Sequence, residues 1–137
     1  VEVYGLREIE DFRPFFDDLY AFCDAQGLPL ESAISEFAPG QFELTLCYKP
    51  DVLRACDDAI MYKRLVKATA QRHGLEATFM AKPFADQAGS GMHIHVSVND
   101  VDGNNIFASE DPEGTDALRH AIGGMIANVG DSFALFA

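Results

Sequence analysis

PLESAISEFAPGQFELTLCY, residues 29 to 48, is the stretch on which the fold turns. It reads as two short strands around Pro39-Gly40, since a Pro-Gly pair interrupts regular structure and sends the chain back on itself. In the second strand Phe42, Leu44, Leu46 and Tyr48 share one face, and Gln41, Glu43, Thr45 and Cys47 share the other. That is the period-two pattern of a half-buried strand.

The flanking segments have a helical period. In DFRPFFDDLYAFCDAQG (11 to 27), Phe12, Phe15, Phe16, Leu19, Phe22 and Cys23 fall on one stripe, with Asp11 placed to cap the start and Gly27 to end the helix. The aromatic stripe reads as core packing. From Pro50 to His73 the pattern is helical again, with Val52, Ala55, Cys56, Ala59, Ile60, Lys63, Val66 and Ala70 on the predicted inner face and Gly74 as terminator. LEATFMAK (75 to 82) and HIHVSV (93 to 98) are strand candidates, separated by the ten-residue loop PFADQAGSGM. GTDALRHAIGGMIANV (114 to 129) reads as a helix despite Gly123 and Gly124. Short strands mixed with helices predict an α+β fold with a largely antiparallel sheet. With no repeat, low-complexity tract or linker, the 137 residues read as a single unit.

Composition narrows the function. Ten basic against 22 acidic residues give a net charge of −12, which argues against a nucleic-acid surface. The same charge suits divalent cations or polyamines, and it equally suits plain solubility. No apolar run reaches membrane-span length and no signal-peptide pattern opens the chain, so no membrane role is expected. Cys23, Cys47 and Cys56 form no CxxC pair, which points to reduced thiols and a cytoplasmic setting. Asp17, Asp18, Asp57 and Asp58 read as solvated helix faces, and His73 and His120 as surface or helix-terminal residues without a role.

Three clusters are candidates for chemistry. In GSGMHIHVSV (89 to 98) a strand would place His93, His95 and Ser97 on one face and Met92, Ile94, Val96 and Val98 on a core-facing one. Two imidazoles at i and i+2 after a glycine turn suit a metal or anion site. In SEFAPGQFE (35 to 43), Glu36 and Glu43 flank the turn, and a hairpin would bring the carboxylates near each other. Such a pair favours a hard divalent ion such as Mg²⁺ or Mn²⁺; two solvated glutamates beside a turn are the alternative. In KPFADQAGSG (82 to 91), Gly89 and Gly91 permit close backbone approach, so the amides around Ser90 can face a ligand.

Taken together and in order, SEFAPGQFE at 35 to 43, RHGLEATFMAKP at 72 to 83 and GSGMHIHVS at 89 to 97 resemble the glutamine synthetase family and its γ-glutamyl ligase relatives. The resemblance runs from about Leu28 to Ser97 and more loosely to the C-terminus. It implies that Glu36 and Glu43 match two carboxylates of a first metal site and His93 the histidine of a second. It implies that Glu31, Tyr48, His95 and Ser97 match nucleotide-contacting positions, with Tyr48 beside the adenine and His95 near the phosphates. Gly89 matches a glycine whose backbone helps hold substrate glutamate. The implied cofactors are Mg²⁺ or Mn²⁺, with ATP as co-substrate. The implied chemistry is phosphorylation of the glutamate γ-carboxylate by ATP, then attack of an amine on the acyl phosphate. No residue acts catalytically beyond positioning metal and substrates.

Two departures qualify the resemblance. Where typical glutamine synthetases have an asparagine before the glycine of GSGMH, this chain has Ala88, whose side chain neither donates nor accepts a hydrogen bond. The loop ADQAGSGMH is more similar to the branch that joins glutamate to polyamines such as putrescine or to other amines than to ammonia-using glutamine synthetase. The chain also resembles a central piece of the catalytic domain, without the family's amino-terminal domain and carboxyl-terminal part. Family members are rings whose active sites lie between subunits, so the piece is expected to be inactive alone and prone to self-association. The competing readings are a small metal-binding module without ligase activity and a purely structural fragment.

Overall fold

The computed structural model describes residues 3–136 and divides into two compact units between Gly91 and Met92. In the first unit, two helices, a hairpin and a long helix follow one another: α1 (Leu6–Asp11), α2 (Arg13–Gln26), β1 (Leu30–Ser35), β2 (Phe42–Leu46) and α3 (Val52–Arg72).

The chain is α+β, as its pattern predicts, and the hairpin forms where residues 29 to 48 place it. β1 and β2 pair antiparallel, with Ala33 opposite Leu44, Ile34 opposite Glu43 and Ser35 opposite Phe42. The Gln41 amide donates to the Ala38 carbonyl at 2.9 Å, and Gly40 has φ 70°. Proline second and a positive-φ glycine third is the residue choice of a type II turn. On β2, Phe42, Leu44 and Leu46 are half-buried while Glu43 and Thr45 are exposed, so the predicted alternation holds within the strand but not at its flanks, where Gln41 is half-buried and Tyr48 exposed.

α2 packs as its stripe predicts, with Phe15, Phe16, Leu19 and Cys23 buried. Its start differs. Asp11 closes the short helix α1 rather than capping α2, and the cap position is Phe12, without a side-chain hydrogen bond. Pro14 in the first turn lacks an N–H that would otherwise go unpaired there. Gly27 ends the helix in the left-handed conformation, φ 66°.

α3 spans the expected residues, but its inner face is rotated by about one position. Asp58, Tyr62, Leu65, Val66, Thr69 and Ala70 are the buried residues, whereas Val52, Ile60 and Lys63 are exposed. The reason is volume: Tyr62 and Leu65 together remove more apolar surface from water than Ile60 beside Lys63. Asp58 is therefore not solvated; it is 3% exposed, and its Oδ1 lies 2.9 Å from Arg54 Nε, one turn earlier. Asp18 and His73 are likewise paired: His73 Nε2 lies 3.0 Å from Asp18 Oδ2, tying α2 to the end of α3.

One core unites these elements. Phe15, Phe16, Leu19 and Cys23 of α2 meet Leu28 and Tyr62, Leu65, Val66 and Ala70 of α3, and Phe42, Leu44 and Leu46 of the hairpin pack against them. Phe42 stands edge-on to Phe12 and Phe16, with ring centroids 5.4 and 5.0 Å away.

The two remaining strand candidates need correction. Residues 75–82 and 93–98 take no ladder, and the described residues contain only the two-stranded sheet plus an isolated Asn99–Asn105 bridge. A strand is defined by its neighbour, and neither segment has one among the described residues. In the second unit Met92, Ile94 and Val96 are about 70% exposed or more and line no core. The chain turns at Asp100, whose carboxylate accepts the amides of Asp102 and Asn104 at 2.9 Å each and is held below the usual range by those bonds, Asn104 foremost. Helix α4 (Asp116–Phe136) starts two residues later than predicted, after Gly114 at φ 73° and Thr115, and continues beyond the predicted end. Its Leu118 amide is capped by Thr115 Oγ1 at 3.2 Å, and Thr115 Oγ1 itself donates to the Ile106 carbonyl at 2.7 Å.

Leu19 is fully buried at the centre of the first unit. Leu19→Ala is expected to lower unfolding free energy by about 3 kcal/mol in urea titration, the sum of lost burial and residual cavity. Burial also pushes the Cys23 thiol and the Tyr20 and Tyr62 phenols up from their ordinary values, with the nearby Cys23 adding to the shift of both tyrosines. An acid raised by folding holds its proton more tightly in the folded state. Its contribution is therefore complete below the unfolded pKa and is lost as pH rises through the folded one. Urea midpoints should fall at alkaline pH, and thiol reagents should label the exposed Cys47 and Cys56 in the native chain but Cys23 only after unfolding.

Candidate functional site

Strand pleating brings Glu36 and Glu43 to one face. Phe42 points into the core, so Glu43 points out opposite Ile34. The ladder continues one residue past β1, where the Glu36 amide donates to the Gln41 carbonyl at 2.8 Å. Glu36 thus opposes Gln41 and is the diagonal neighbour of Glu43, a spacing of about 7 Å or less between Cβ atoms. Both carboxylates lie on the outward face beside the turn.

The base of this hairpin end is fixed. Ser35, 1% exposed, donates from Oγ to Glu8 Oε2 at 2.8 Å, and its carbonyl accepts the Tyr4 amide at 3.1 Å. Glu36 therefore leaves a backbone position held from both sides.

Glu31 occupies the irregular point of β1. Leu30 pairs with Leu46 and Ser32 with Thr45, so Glu31 is the extra residue of a bulge. Bulges re-aim side chains, and Glu31 is exposed there. Tyr48, just past β2, is 89% exposed and makes no aromatic contact among the described residues.

The glycine loop belongs to the same unit. Its Ser90 amide donates to the Ala81 carbonyl at 2.8 Å, and the Lys82 ammonium donates to the Gln87 carbonyl. Gly89 is needed for proximity: a Cβ there would stand 2.9 Å from the Ala81 oxygen. Ala88 is half-buried next to it. The link between loop and hairpin is Gln41, whose Nε2 donates to Gly89 O at 2.9 Å and Ser90 Oγ at 3.3 Å while its Oε1 accepts the Ala38 amide at 3.1 Å. The sequence gives Gln41 no role beyond its strand face. Its place beside the turn, between Glu36 and Glu43, was the available signal.

His93, His95 and Ser97 belong to the second unit, on unladdered backbone and exposed. Among the described residues, no group of three or more His, Cys, Asp or Glu side chains converges in a metal-holding arrangement. What the first unit offers is a carboxylate pair. Its hard oxygen donors suit Mg²⁺ or Mn²⁺, which accept further ligands from elsewhere, including water and phosphate. No helix of the described residues is long and apolar enough to cross a membrane.

The family model of the glutamine synthetase catalytic domain matches residues 1–137. The chain belongs to the glutamine synthetase family. It is 40% identical over 136 residues to the γ-glutamylputrescine synthetase PuuA of Escherichia coli K12, covering 99% of this chain and 29% of that protein. It is 41% identical over 114 residues to a glutamate–isopropylamine ligase of a Pseudomonas species, covering 80% and 24%. Among solved structures, GmaS without ligand and GmaS with ADP each superpose with a TM-score of 0.82 at 32% identity, over 93% of this chain and 30% of theirs. The chain thus spans under a third of the length of these glutamine synthetase relatives.

Gly89→Ala should push the loop off the Ala81 carbonyl. Hydrogen exchange at the Ser90 amide is expected to quicken by about tenfold, since that hydrogen bond is lost, while amides of α2 stay protected as in wild type.

Proposed function

We propose that this chain contributes part of the active site of an ATP-dependent ligase that joins glutamate to an amine through a γ-glutamyl phosphate. The observation that carries the reading is the 40% identity to a γ-glutamylputrescine synthetase across 99% of this chain, with the hairpin carboxylates side by side within that span. A second named amine ligase among the relatives, and Ala88 in the glycine loop, favour an alkylamine or polyamine over ammonia.

In this reading Glu36 and Glu43 hold a divalent ion and His93 contributes to a second one. Mg²⁺ or Mn²⁺ supplies charge neutralisation and alignment for the phosphoryl oxygens. The pleat places both side chains on the outer face of the hairpin, and paired acidic side chains there disfavour a bare phosphate chain until a cation accompanies it. Glu31, Tyr48, His95 and Ser97 bind the nucleotide; Tyr48 offers an aromatic face for a purine. A relative of similar fold solved with ADP supports nucleotide binding. The Gly89 backbone and the Ala88 position face glutamate. The glutamate γ-carboxylate oxygen takes the γ-phosphoryl group of ATP, releasing ADP. The neutral amine then attacks the acyl carbon, phosphate leaves, and one amine proton is lost to solvent.

The chain is one part of a larger catalytic domain, completed by further chain segments and by neighbouring subunits, and it is inactive on its own. Cytoplasmic placement and self-association of the isolated piece belong to the same proposal, the latter because Met92, Ile94 and Val96, and Met125, Ile126 and Phe133 of α4, are exposed.

The intact polypeptide that carries this segment is expected to release phosphate from ATP only when glutamate and an amine are both present. Putrescine and monoalkylamines should outperform ammonium. Glu43→Ala and His93→Ala should each cut the rate by roughly a hundredfold or more, because several kcal/mol of charge stabilisation depend on the ion. Phosphate release that ignores the amine, or that survives both substitutions, overturns the reading.

A further inference from the structure

Gln41 stands between two features that the ligase reading uses separately. Its backbone carbonyl accepts from the Glu36 amide at 2.8 Å, and two residues on lies Glu43. Its side chain reaches 48 residues along the sequence to Gly89 O at 2.9 Å and Ser90 Oγ at 3.3 Å. The orientation of the amide is dictated by chemistry. The Gly89 carbonyl can only accept and the Ala38 amide can only donate, so nitrogen faces the loop and oxygen faces the turn. Every partner is backbone except the Ser90 hydroxyl, so the latch does not depend on which side chains fill the loop.

We propose that Gln41 is a positioning residue that couples the carboxylate hairpin to the glutamate-holding glycine loop, setting the distance between metal and substrate. The inference rests on the ligase reading above. Gly89 carries no side chain, so its carbonyl and neighbouring amides take whatever direction the loop backbone has. At Gly89 and Ser90 that backbone is held at two points, the Ala81 carbonyl accepting from the Ser90 amide and the Gln41 side-chain amide donating to the Gly89 carbonyl. Release of the second leaves this end of the loop hinged on the first. Misplacement of a binding group by a fraction of its hydrogen-bond length is costly in a reaction that works by alignment. The geometry also separates two roles within one side chain, since Oε1 serves the turn and Nε2 serves the loop.

Substitutions can divide those roles. Gln41→Glu keeps an acceptor for the Ala38 amide and loses the donor to Gly89. Gln41→Met loses both. In the intact ligase, Gln41→Glu is expected to raise the KM for glutamate by about tenfold, the scale of one or two lost hydrogen bonds, with Mn²⁺ affinity no weaker than in wild type, because the added carboxylate lies beside Glu36 and Glu43. Hydrogen exchange in peptides covering 82–91 should accelerate, while peptides covering 36–43 exchange as in wild type. Gln41→Met should accelerate exchange in both. Because a carboxylate at position 41 also adds charge, Gln41→Met must reproduce the rise in glutamate KM if it folds; if it does not fold, Gln41→Glu assayed in high salt must retain the rise. Unchanged loop exchange in Gln41→Glu, or a loss of Mn²⁺ affinity equal to the loss for glutamate, overturns the proposal. Failure of the ligase reading shows differently: wild type itself would release no amine-dependent phosphate.

Discussion

The packing of one phenylalanine orders the rest of the first unit. Phe42 is clasped edge-on between Phe12 and Phe16, and a strand has only two faces. Once Phe42 faces inward, Glu43 faces outward, and the antiparallel register carries Ile34 and then Glu36 to the same outer surface. A slip of one residue would bury a glutamate and expose a phenylalanine, losing the burial of a large ring and desolvating a charge together. The positions of the carboxylates are thus set by the hydrophobic core. Metal or substrate need not organise them.

Local sequence was legible where two signals coincided. Residues 29 to 48 joined alternation to a Pro-Gly turn, and the hairpin lies there; α2 joined a clean aromatic stripe to a terminal glycine. α3 shows what a single signal leaves open. Its helix is plain, but small and β-branched residues are spread around it, so the inner face depends on which large side chains the rest of the core can accept. Tyr62 and Leu65 go in, and Asp58 follows them with Arg54 as partner. Residues 75–82 and 93–98 show a further limit. Alternation is a property of a segment, whereas a ladder is a relation between segments, and no pattern within a strand reveals whether a partner is present.

The candidate site divides along similar lines. Glu36 and Glu43 stand out as residue types in a pattern and Glu31 only through the family resemblance, and the structure adds that the first two share a face and the third sits on a bulge. The His93, His95 and Ser97 positions remain defined by sequence and family, because an exposed, unladdered segment imposes no pleat on its side chains. Gln41 escaped a reading by residue type because an amide has no preferred chemistry. Its part emerges only from the three partners it joins.

Hydrogen-bond satisfaction explains why that position favours an amide. The turn presents the Ala38 N–H and the loop presents the Gly89 C=O, one needing an acceptor and the other a donor. Among side chains of this length only glutamine offers both at one end; glutamate and lysine each offer one, and methionine neither at useful strength. A lysine would also place positive charge beside the two hairpin carboxylates, and a glutamate would set a third carboxylate against a carbonyl oxygen. The residue that joins hairpin to loop is therefore narrowly specified by two backbone groups of opposite polarity, although it contributes no charge and no apolar burial of its own.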